Sequence, residues 1–313
     1  MFEVVRYTAG HEEEWNRFVM EKSKNGTFLL NRRYMDYHKD RFHDHSLMFF
    51  RDGRLLAVLP ANEAEHTLFS HQGLTYGGLL LSFDATAADV LRLLAEMNDY
   101  LRSVHIRRVV YKAIPWIYQQ LPSEEDLYAL TQVCKAQLTV REISTTIVLP
   151  RKIRWARLRR RGVARAVDAG VKVERSNDYQ AFWEVLDQNL MRCHHVHPVH
   201  SSAEMELLSN RFPDNIILYT AVKDGNVLGG VVMYVTPQVV HAQYSSATEE
   251  GKRLGVLDAI YDRIMHEDMK DYPYFDFGKS TEDSGHILNE QLIFQKEGFG
   301  GRAVCYDTYE WEL

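Results

Sequence analysis

The spacing of apolar residues changes repeatedly along the chain and divides its first half into predicted strands and helices. Apolar runs on both sides of Asp52-Gly53 predict a β-hairpin that turns at this dipeptide. A glycine-rich strand region over 73–81 follows, and then apolar positions at helical spacing over 90–104. The segment over 106–114, which ends at Pro115, is predicted to form the strand that closes this series.

The second half of the chain repeats the same order of patterns. A hairpin is predicted to turn at Asp224-Gly225, followed by a strand over 238–246, a helix over 254–265 and a strand over 272–277. Hairpin, strand, helix and strand therefore occur twice. The repetition predicts two similar α/β domains with mixed sheets, at residues 1–150 and 151–313.

Composition fits this interpretation and narrows the class of protein. The chain has 313 residues, 45% of them hydrophobic and 12% aromatic, which is enough apolar material for two cores. The net charge of −6 gives no general reason to expect nucleic acid or an anionic membrane as partner. Three separated cysteines and the lack of a long apolar run predict a cytoplasmic protein without a membrane span.

The segment after residue 272 carries the strongest motifs. Phe-Asp-Phe-Gly-Lys-Ser over 275–280 ends a strand, Leu288-Asn289 follows, and Lys-Glu-Gly-Phe-Gly over 296–300 ends a predicted helix that begins at Ile287. These motifs resemble the C-terminal module of the FemABX-like acyltransferases, which consist of two tandem GNAT-like (acyl-CoA N-acyltransferase fold) domains. The resemblance implies that the second domain carries the site and that the first is a degenerate partner.

The same resemblance implies an enzyme that moves an acyl or aminoacyl group to an amine acceptor, such as a peptidoglycan or other cell-envelope precursor. The donor is expected to be aminoacyl-tRNA or acyl-CoA, with no permanently bound cofactor. Two alternatives stay open: an acyl-CoA-dependent N-acetyltransferase, and a binding module that keeps the fold without catalysis.

Two kinds of side chain are candidates for catalysis. Lys296 matches the lysine of the family motif and is expected to stabilise the oxyanion that forms when an amine attacks an ester, although Gln295 stands where the family has phenylalanine. The histidine-rich run over 191–201 offers His197 or His200 as the base that deprotonates the amine. Its spacing matches no common zinc motif, so no metal is predicted.

Further residues are candidates for binding the substrate or donor. The strand ends suggest Tyr244, Asp276, Lys279 and Ser280 as substrate contacts. Arg161 belongs to the basic segment Arg151–Arg165, whose arginines are predicted either to face solvent or to contact phosphates of tRNA or of a nucleotide-linked acceptor.

One segment resembles an incomplete loop for acyl-CoA. GNAT enzymes hold the pyrophosphate of CoA on a glycine-rich turn at a helix N-terminus. At the corresponding place Lys252 and Gly255 are retained, but Leu257 stands where a small residue is expected. The sequence therefore predicts a degenerate cofactor-binding loop at these residues, which weakens the case for CoA.

Overall fold

The structure, a computed structural model, describes residues 2–313 and consists of two compact units. Unit 1 runs to Ile143 and also includes Asp283–Ile287 and Cys305–Leu313, whereas unit 2 is formed by Ser144–Glu282 and Leu288–Val304. The sequence assigned the C-terminal strand to the second domain. Its residues from Cys305 onward belong to unit 1, where Trp311, for example, pairs with Val109.

Unit 1 contains two sheets and four α-helices among the described residues. The strands are β1 Phe2–Arg6, β2 His43–Asp44, β3 Leu47–Arg51, β4 Arg54–Leu59, β5 Asn62–Ala64, β6 Thr67–Phe69, β7 Leu80–Leu81 and β8 Arg108–Lys112. The helices are α1 Glu12–Arg17, α2 Arg32–Met35, α3 Ala87–Ser103 and α4 Glu125–Ala129. One sheet has the order β1-β3-β4-β7, and in the other β8 is followed by β6, β5 and β2.

Helix α3 shows how the apolar pattern builds the core of unit 1. Its N-terminus is fixed by a capping box, in which Thr86 and Asp89 satisfy each other's backbone amides. The apolar stripe of this helix, which includes Val90, Leu94 and Leu101, is buried in the same cluster as the inner faces of β3 and β4.

Unit 2 is built around a mixed sheet. Two long strands, β9 Gln137–Val148 and β17 Arg302–Glu312, have residues in both units. The other strands of the sheet are β10 Lys172–Ser176, β11 Ile216–Lys223, β12 Asn226–Val235, β13 Val239–Ala247 and β14 Tyr274–Lys279. Two short strands, β15 Thr281–Glu282 and β16 Ile287–Leu288, pair with each other in a separate two-stranded sheet. The helices are α5 Arg157–Asp168, α6 Tyr179–His194, α7 Ser202–Arg211, α8 Glu249–Leu254, α9 Val256–Arg263 and α10 Glu290–Glu297. The order within the sheet is β10-β11-β12-β13-β14-β9.

The centre of this sheet is irregular at two places. Residue 243 of β13 has no partner on β12, because Val232 pairs with Tyr244 and Met233 with Ala242. Strands β13 and β14 are parallel but pair only through the three residues that end at His241 and Asp276. Beyond these residues β13 continues to Ala247 without pairing to β14. Because β13 and β14 separate here, backbone groups and side chains that strand pairing does not use can contribute to a binding or catalytic site.

Two predicted elements differ from the structure. In the glycine-rich region over 73–81 only Leu80–Leu81 forms a strand, because the chain turns at its start, where Leu74 N donates to His71 O at 3.2 Å. The last helix starts at Glu290 and not at Ile287, since the side chain of Asn289 accepts a hydrogen bond from Leu292 N at 3.0 Å and caps the helix. No helix of the described residues is long and apolar enough to cross a membrane.

Candidate functional site

Asp276, at the divergence of β13 and β14, is the most heavily hydrogen-bonded buried carboxylate of unit 2. Its Oδ1 accepts hydrogen bonds from Ser144 Oγ and Thr146 Oγ1, both at 2.6 Å, and its Oδ2 lies 2.8 Å from His241 Nδ1. Burial alone would raise the pKa of Asp276, but the bonds from His241 and the two hydroxyls outweigh it and hold the pKa below its ordinary value. The carboxylate is therefore a fixed negative charge.

His241 is oriented by this carboxylate. With a proton on Nδ1, the ring donates to Asp276 and leaves Nε2 as the proton acceptor. The bulge at residue 243 puts His241 and Tyr244 on the same face of β13, because their partners on β12, Tyr234 and Val232, are two residues apart. The side chain of His241 remains 12% exposed. The contact with Asp276 therefore fixes the orientation of the His241 ring.

Lys296 lies at the last turn of α10 and points its amine at the end of β14. Its Nζ donates to Gly278 O at 2.8 Å and to Lys279 O at 2.7 Å, and the residue is only 8% exposed. Burial lowers the pKa of Lys296 to about 8, against the opposing charge of Asp276. Near neutral pH the residue supplies a positive charge in a poorly solvated place.

The end of β14 brings two more predicted residues next to Lys296. Lys279 contributes its backbone carbonyl to Lys296, and Ser280 is buried, with a hydroxyl that has no hydrogen-bond partner among the described residues. A buried hydroxyl without a partner costs free energy, so such a group commonly contacts a ligand or a water molecule. Asp276, Lys279, Ser280 and Lys296 thus come together in unit 2.

His200 and Tyr244 form a second group. His200 Nδ1 lies 2.6 Å from the hydroxyl of Tyr244, and Trp183 of α6 donates from Nε1 to His200 O at 2.8 Å. The rings of Trp183 and Tyr244 pack edge to face at 5.2 Å between centroids. These contacts fix the loop before α7 against β13, on the face that also carries His241.

His197 lies elsewhere, on the surface. Its side chain is 72% exposed and its Nδ1 is 2.6 Å from Asp187. The side chain of His194, in the same run, lies outside the described part of the chain. Among the described residues, no group of three or more histidine, cysteine or acidic side chains is arranged to hold a metal.

The two predicted cofactor-binding residues lie where α8 meets α9. Gly255 has a positive φ of 79°, and a Cβ at this position would come within 2.7 Å of Gly162 O on α5. Asp258, in the first turn of α9, is paired with Arg159 of α5 at 2.8 Å. Helix α5 therefore contacts the N-terminus of α9, the place where a GNAT enzyme would bind pyrophosphate.

A hollow of about 410 Å³ remains beside this contact, and Lys252 and Gly255 are among its lining residues. Lys252 itself is bound to Asn189 Oδ1 at 2.6 Å and to Glu249 Oε1 at 3.1 Å. Arg161 is exposed on α5, whereas Gly162 and Ala166 of the same helix are buried.

Three residues of the cluster were not singled out from the sequence: His241, Ser144 and Thr146. The alternating pattern of β13 does not show the bulge at residue 243, so it does not place His241 beside Tyr244. Ser144 and Thr146 are two residues apart on β9 and reach Asp276 across more than 100 positions of sequence. The one sequence feature that could have indicated this pair is that the two hydroxyl residues are two positions apart, which puts them on the same face of a strand.

A comparison with known protein families matches most of the second half of the chain. Residues 151–284 match a family described as "Acetyltransferase (GNAT) domain". A search of curated protein sequences finds no match to the chain.

Similar solved structures cover nearly the whole chain. FemX matches with a TM-score of 0.71 and 12% identity, over 99% of this chain and 97% of that one. The C-terminal domain of a putative lysylphosphatidylglycerol synthetase from Agrobacterium fabrum matches with a TM-score of 0.63 and 12% identity, over 96% and 91%. A tandem GNAT protein from the clavulanic acid biosynthesis pathway matches with a TM-score of 0.54 and 11% identity, over 100% and 98%.

These matches agree with the predicted resemblance and confirm the predicted fold class. Residues 151–284 are similar to the GNAT domain family, and the chain shares the α/β fold of FemX and of the tandem GNAT protein.

Proposed function

We propose that this protein transfers an acyl or aminoacyl group from an activated ester or thioester to an amine, at the cluster of Asp276, His241 and Lys296. The observation that carries the proposal is the joint presence of an oriented imidazole and a buried cation at one end of β14. Acyl transfer needs both, because the amine must lose a proton and the carbonyl oxygen must gain negative charge.

In the proposed reaction, the amine nitrogen of the acceptor forms a bond to the carbonyl carbon of the donor. His241 takes the proton that the nitrogen loses, and Asp276 stabilises the imidazolium. Lys296 stabilises the oxyanion of the tetrahedral intermediate. The bond from carbon to the oxygen or sulfur of the donor then breaks, and the leaving alcohol or thiol receives the proton from His241.

In this proposal His241 takes the role that the sequence offered to His197 or His200. His197 is bound to Asp187 on the surface, and His200 is bound to Tyr244. We propose that His200, Tyr244 and Trp183 form one wall of the acceptor pocket, with Ser280 as a further contact. An amine on a peptidoglycan or other cell-envelope precursor is the acceptor that the FemABX-like resemblance implies.

For the donor, we propose an aminoacyl ester in preference to acyl-CoA. The support is the contact between α5 and α9, since Gly162 and the pair of Arg159 and Asp258 occupy the place where a pyrophosphate would bind. Acyl-CoA stays the second candidate, because the matching family is described by acetyltransferase activity and a hollow lies beside Lys252.

A transfer assay with the purified full chain tests the proposal. Aminoacyl-tRNA and acetyl-CoA are each combined with amine acceptors, including a UDP-linked muropeptide, and products are identified by mass spectrometry. We expect product with wild-type protein and a loss of about 10²–10⁴-fold in His241→Ala. The matched control is His266→Ala, because His266 forms an exposed pair with Asp262 at 2.9 Å.

Three results would count against parts of the proposal. Full activity of His241→Ala would show that His241 is not the base. Product with acetyl-CoA but not with aminoacyl-tRNA would show that the donor is acyl-CoA. Thermal stabilisation by a donor or acceptor without turnover in any combination would instead indicate a binding module without catalysis.

A further inference from the structure

A surface of unit 2 formed by residues outside the Asp276 cluster combines exposed apolar side chains with arginines. We call it the α5–α10 surface, and its members are Ile153, Leu158, Phe294, Arg154, Arg157 and Arg161. Phe294 is 73% exposed and Leu158 is 54% exposed. Large apolar side chains that are exposed together at this level indicate an interaction site.

Several contacts keep these residues next to each other. Ala156 N donates to Gly298 O at 2.8 Å, and the guanidinium of Arg159 lies 5.3 Å from the centre of the Phe299 ring. Leu158 and Phe294 line two neighbouring hollows, of about 410 and 470 Å³. The start of α5 and the end of α10 therefore form one continuous surface.

The charge of this surface is opposite to that of the whole chain. Helix α5 has five arginines and a single acid, Asp168, and Arg151, Lys152 and Arg154 precede it, whereas the chain as a whole carries −6. Of the helix arginines, Arg159 is neutralised by Asp258, while Arg157 and Arg161 are exposed. Such a local excess of positive charge fits an anionic partner.

RNA and an anionic membrane are two possible partners for a basic surface, and the apolar side chains of the α5–α10 surface favour the membrane. RNA is bound through phosphates and through bases that stack on aromatic rings, and it offers nothing to the aliphatic side chains of Ile153 and Leu158. An anionic bilayer offers both a negative surface for the arginines and an acyl boundary for Ile153, Leu158 and Phe294. We propose that the α5–α10 surface docks this protein on a membrane that contains anionic phospholipid.

Co-sedimentation of the full chain with lipid vesicles tests this proposal. One vesicle is phosphatidylcholine alone, and the other contains about one third phosphatidylglycerol. We expect binding to the second vesicle only, with a bound fraction that falls as salt is added. Arg157→Glu combined with Arg161→Glu should weaken binding by roughly tenfold or more, because both changes reverse charge at the membrane surface.

The double variant Leu158→Ser and Phe294→Ser separates lipid from RNA, since it keeps every charge. We expect it to lose vesicle binding and to leave any affinity for bulk tRNA, measured by fluorescence anisotropy, unchanged. Leu207→Ser is the matched control, because Leu207 is an exposed leucine on α7 of the same unit. A thermal melt checks that each variant is folded.

Two outcomes would overturn the proposal. One is that the wild type does not bind vesicles containing phosphatidylglycerol even at low salt. The other is that such binding is unaffected by both the arginine and the apolar variants. Binding of tRNA without binding of vesicles would assign the surface to RNA. The transferase assay does not depend on either result, so the two proposals can fail separately.

Discussion

At the scale of single residues, the least ordinary group of the protein is the amine of Lys296. It is buried, bound to two carbonyl oxygens, and has its pKa lowered to about 8. A lysine with this pKa is still mostly charged at neutral pH and loses its charge as the pH rises above about 8. The role of Lys296 can therefore be tested by measuring how the rate of transfer depends on pH.

We expect the rate of transfer to fall as pH rises above about 8, because Lys296 becomes neutral and no longer stabilises the oxyanion. Lys296→Met should lose about 10²–10³-fold in kcat/KM and should no longer show this fall. The pH profile of kcat/KM measures both effects. Lys270→Met, which changes an exposed lysine of the same unit, is the control.

A rate that rises above pH 8 in the wild type would contradict the assignment of Lys296 as a cation and would suggest that its neutral form acts as a base. Thermal unfolding of Lys296→Met separates loss of catalysis from loss of fold.

A second buried group, His71 in unit 1, should make the stability of that unit depend on pH. Burial, helped by the neighbouring His38, lowers the pKa of His71 to about 3. The unfolded chain binds a proton near pH 6.5 and the folded chain does not, so stability is lost as pH falls from about 6.5 towards 3. The loss should reach roughly 5 kcal/mol at the lower limit.

Urea unfolding of the wild type and of His71→Leu between pH 7 and pH 4 tests this expectation. The variant should show a smaller slope of unfolding free energy against pH. His66→Leu is the matched control, because His66 also has a positive φ, of 62°, but is exposed. Equal slopes in His71→Leu and the wild type would show that His71 is not the group responsible.

At the scale of elements, the crossing of α5 and α9 has the most influence on the proposed choice of donor. The crossing is close because glycines face each other, with Gly255 at a positive φ against the backbone of Gly162. A side chain at either position would separate the helices and uncover the first turn of α9.

Gly255→Ala should therefore destabilise unit 2 by more than the backbone conformation alone explains. The positive φ costs an alanine roughly 1–2 kcal/mol. Overlap with the backbone of Gly162 should add about 1–3 kcal/mol. Gly225→Ala provides the comparison, since Gly225 has a φ of 80° and nothing within 4 Å of a Cβ. Equal losses of unfolding free energy in the two variants would mean that the helix contact tolerates a methyl group.

At the scale of the whole molecule, neither unit is a continuous piece of chain. The C-terminal segment Cys305–Leu313, which includes most of β17, belongs to unit 1 and contributes to its core. Trp311 is buried there, and its Nε1 donates to Asn98 Oδ1 at 3.1 Å, while Tyr306 and Tyr118 share a hydrogen bond of 2.9 Å between their hydroxyls.

Because of this arrangement, a change near the C-terminus should weaken the unit formed by the N-terminal residues. Trp311→Ala should cost about 3–5 kcal/mol. Hydrogen exchange should show the loss of protection in α3 and β8, with unit 2 little changed. Trp116→Ala is the control, because Trp116 is 48% exposed in the same unit. Exchange that accelerates mainly in unit 2 would contradict the assignment of the strand.

The sequence by itself determined the elements and the class of fold. Hairpin turns at Asp52-Gly53 and Asp224-Gly225 and the apolar stripe of α3 depend on neighbours within a few residues, so local spacing is sufficient to predict them. The motif over 275–280 and Lys296 led to the FemABX-like resemblance, which the structural comparisons confirm.

Only the tertiary structure decided which side chains meet. The bond of Asp276 to Ser144, Thr146 and His241 joins three strands, and a bulge of one residue sets the face of His241. Strand pairing, bulges and helix crossings depend on contacts between residues far apart in sequence, and local periodicity contains no information about them.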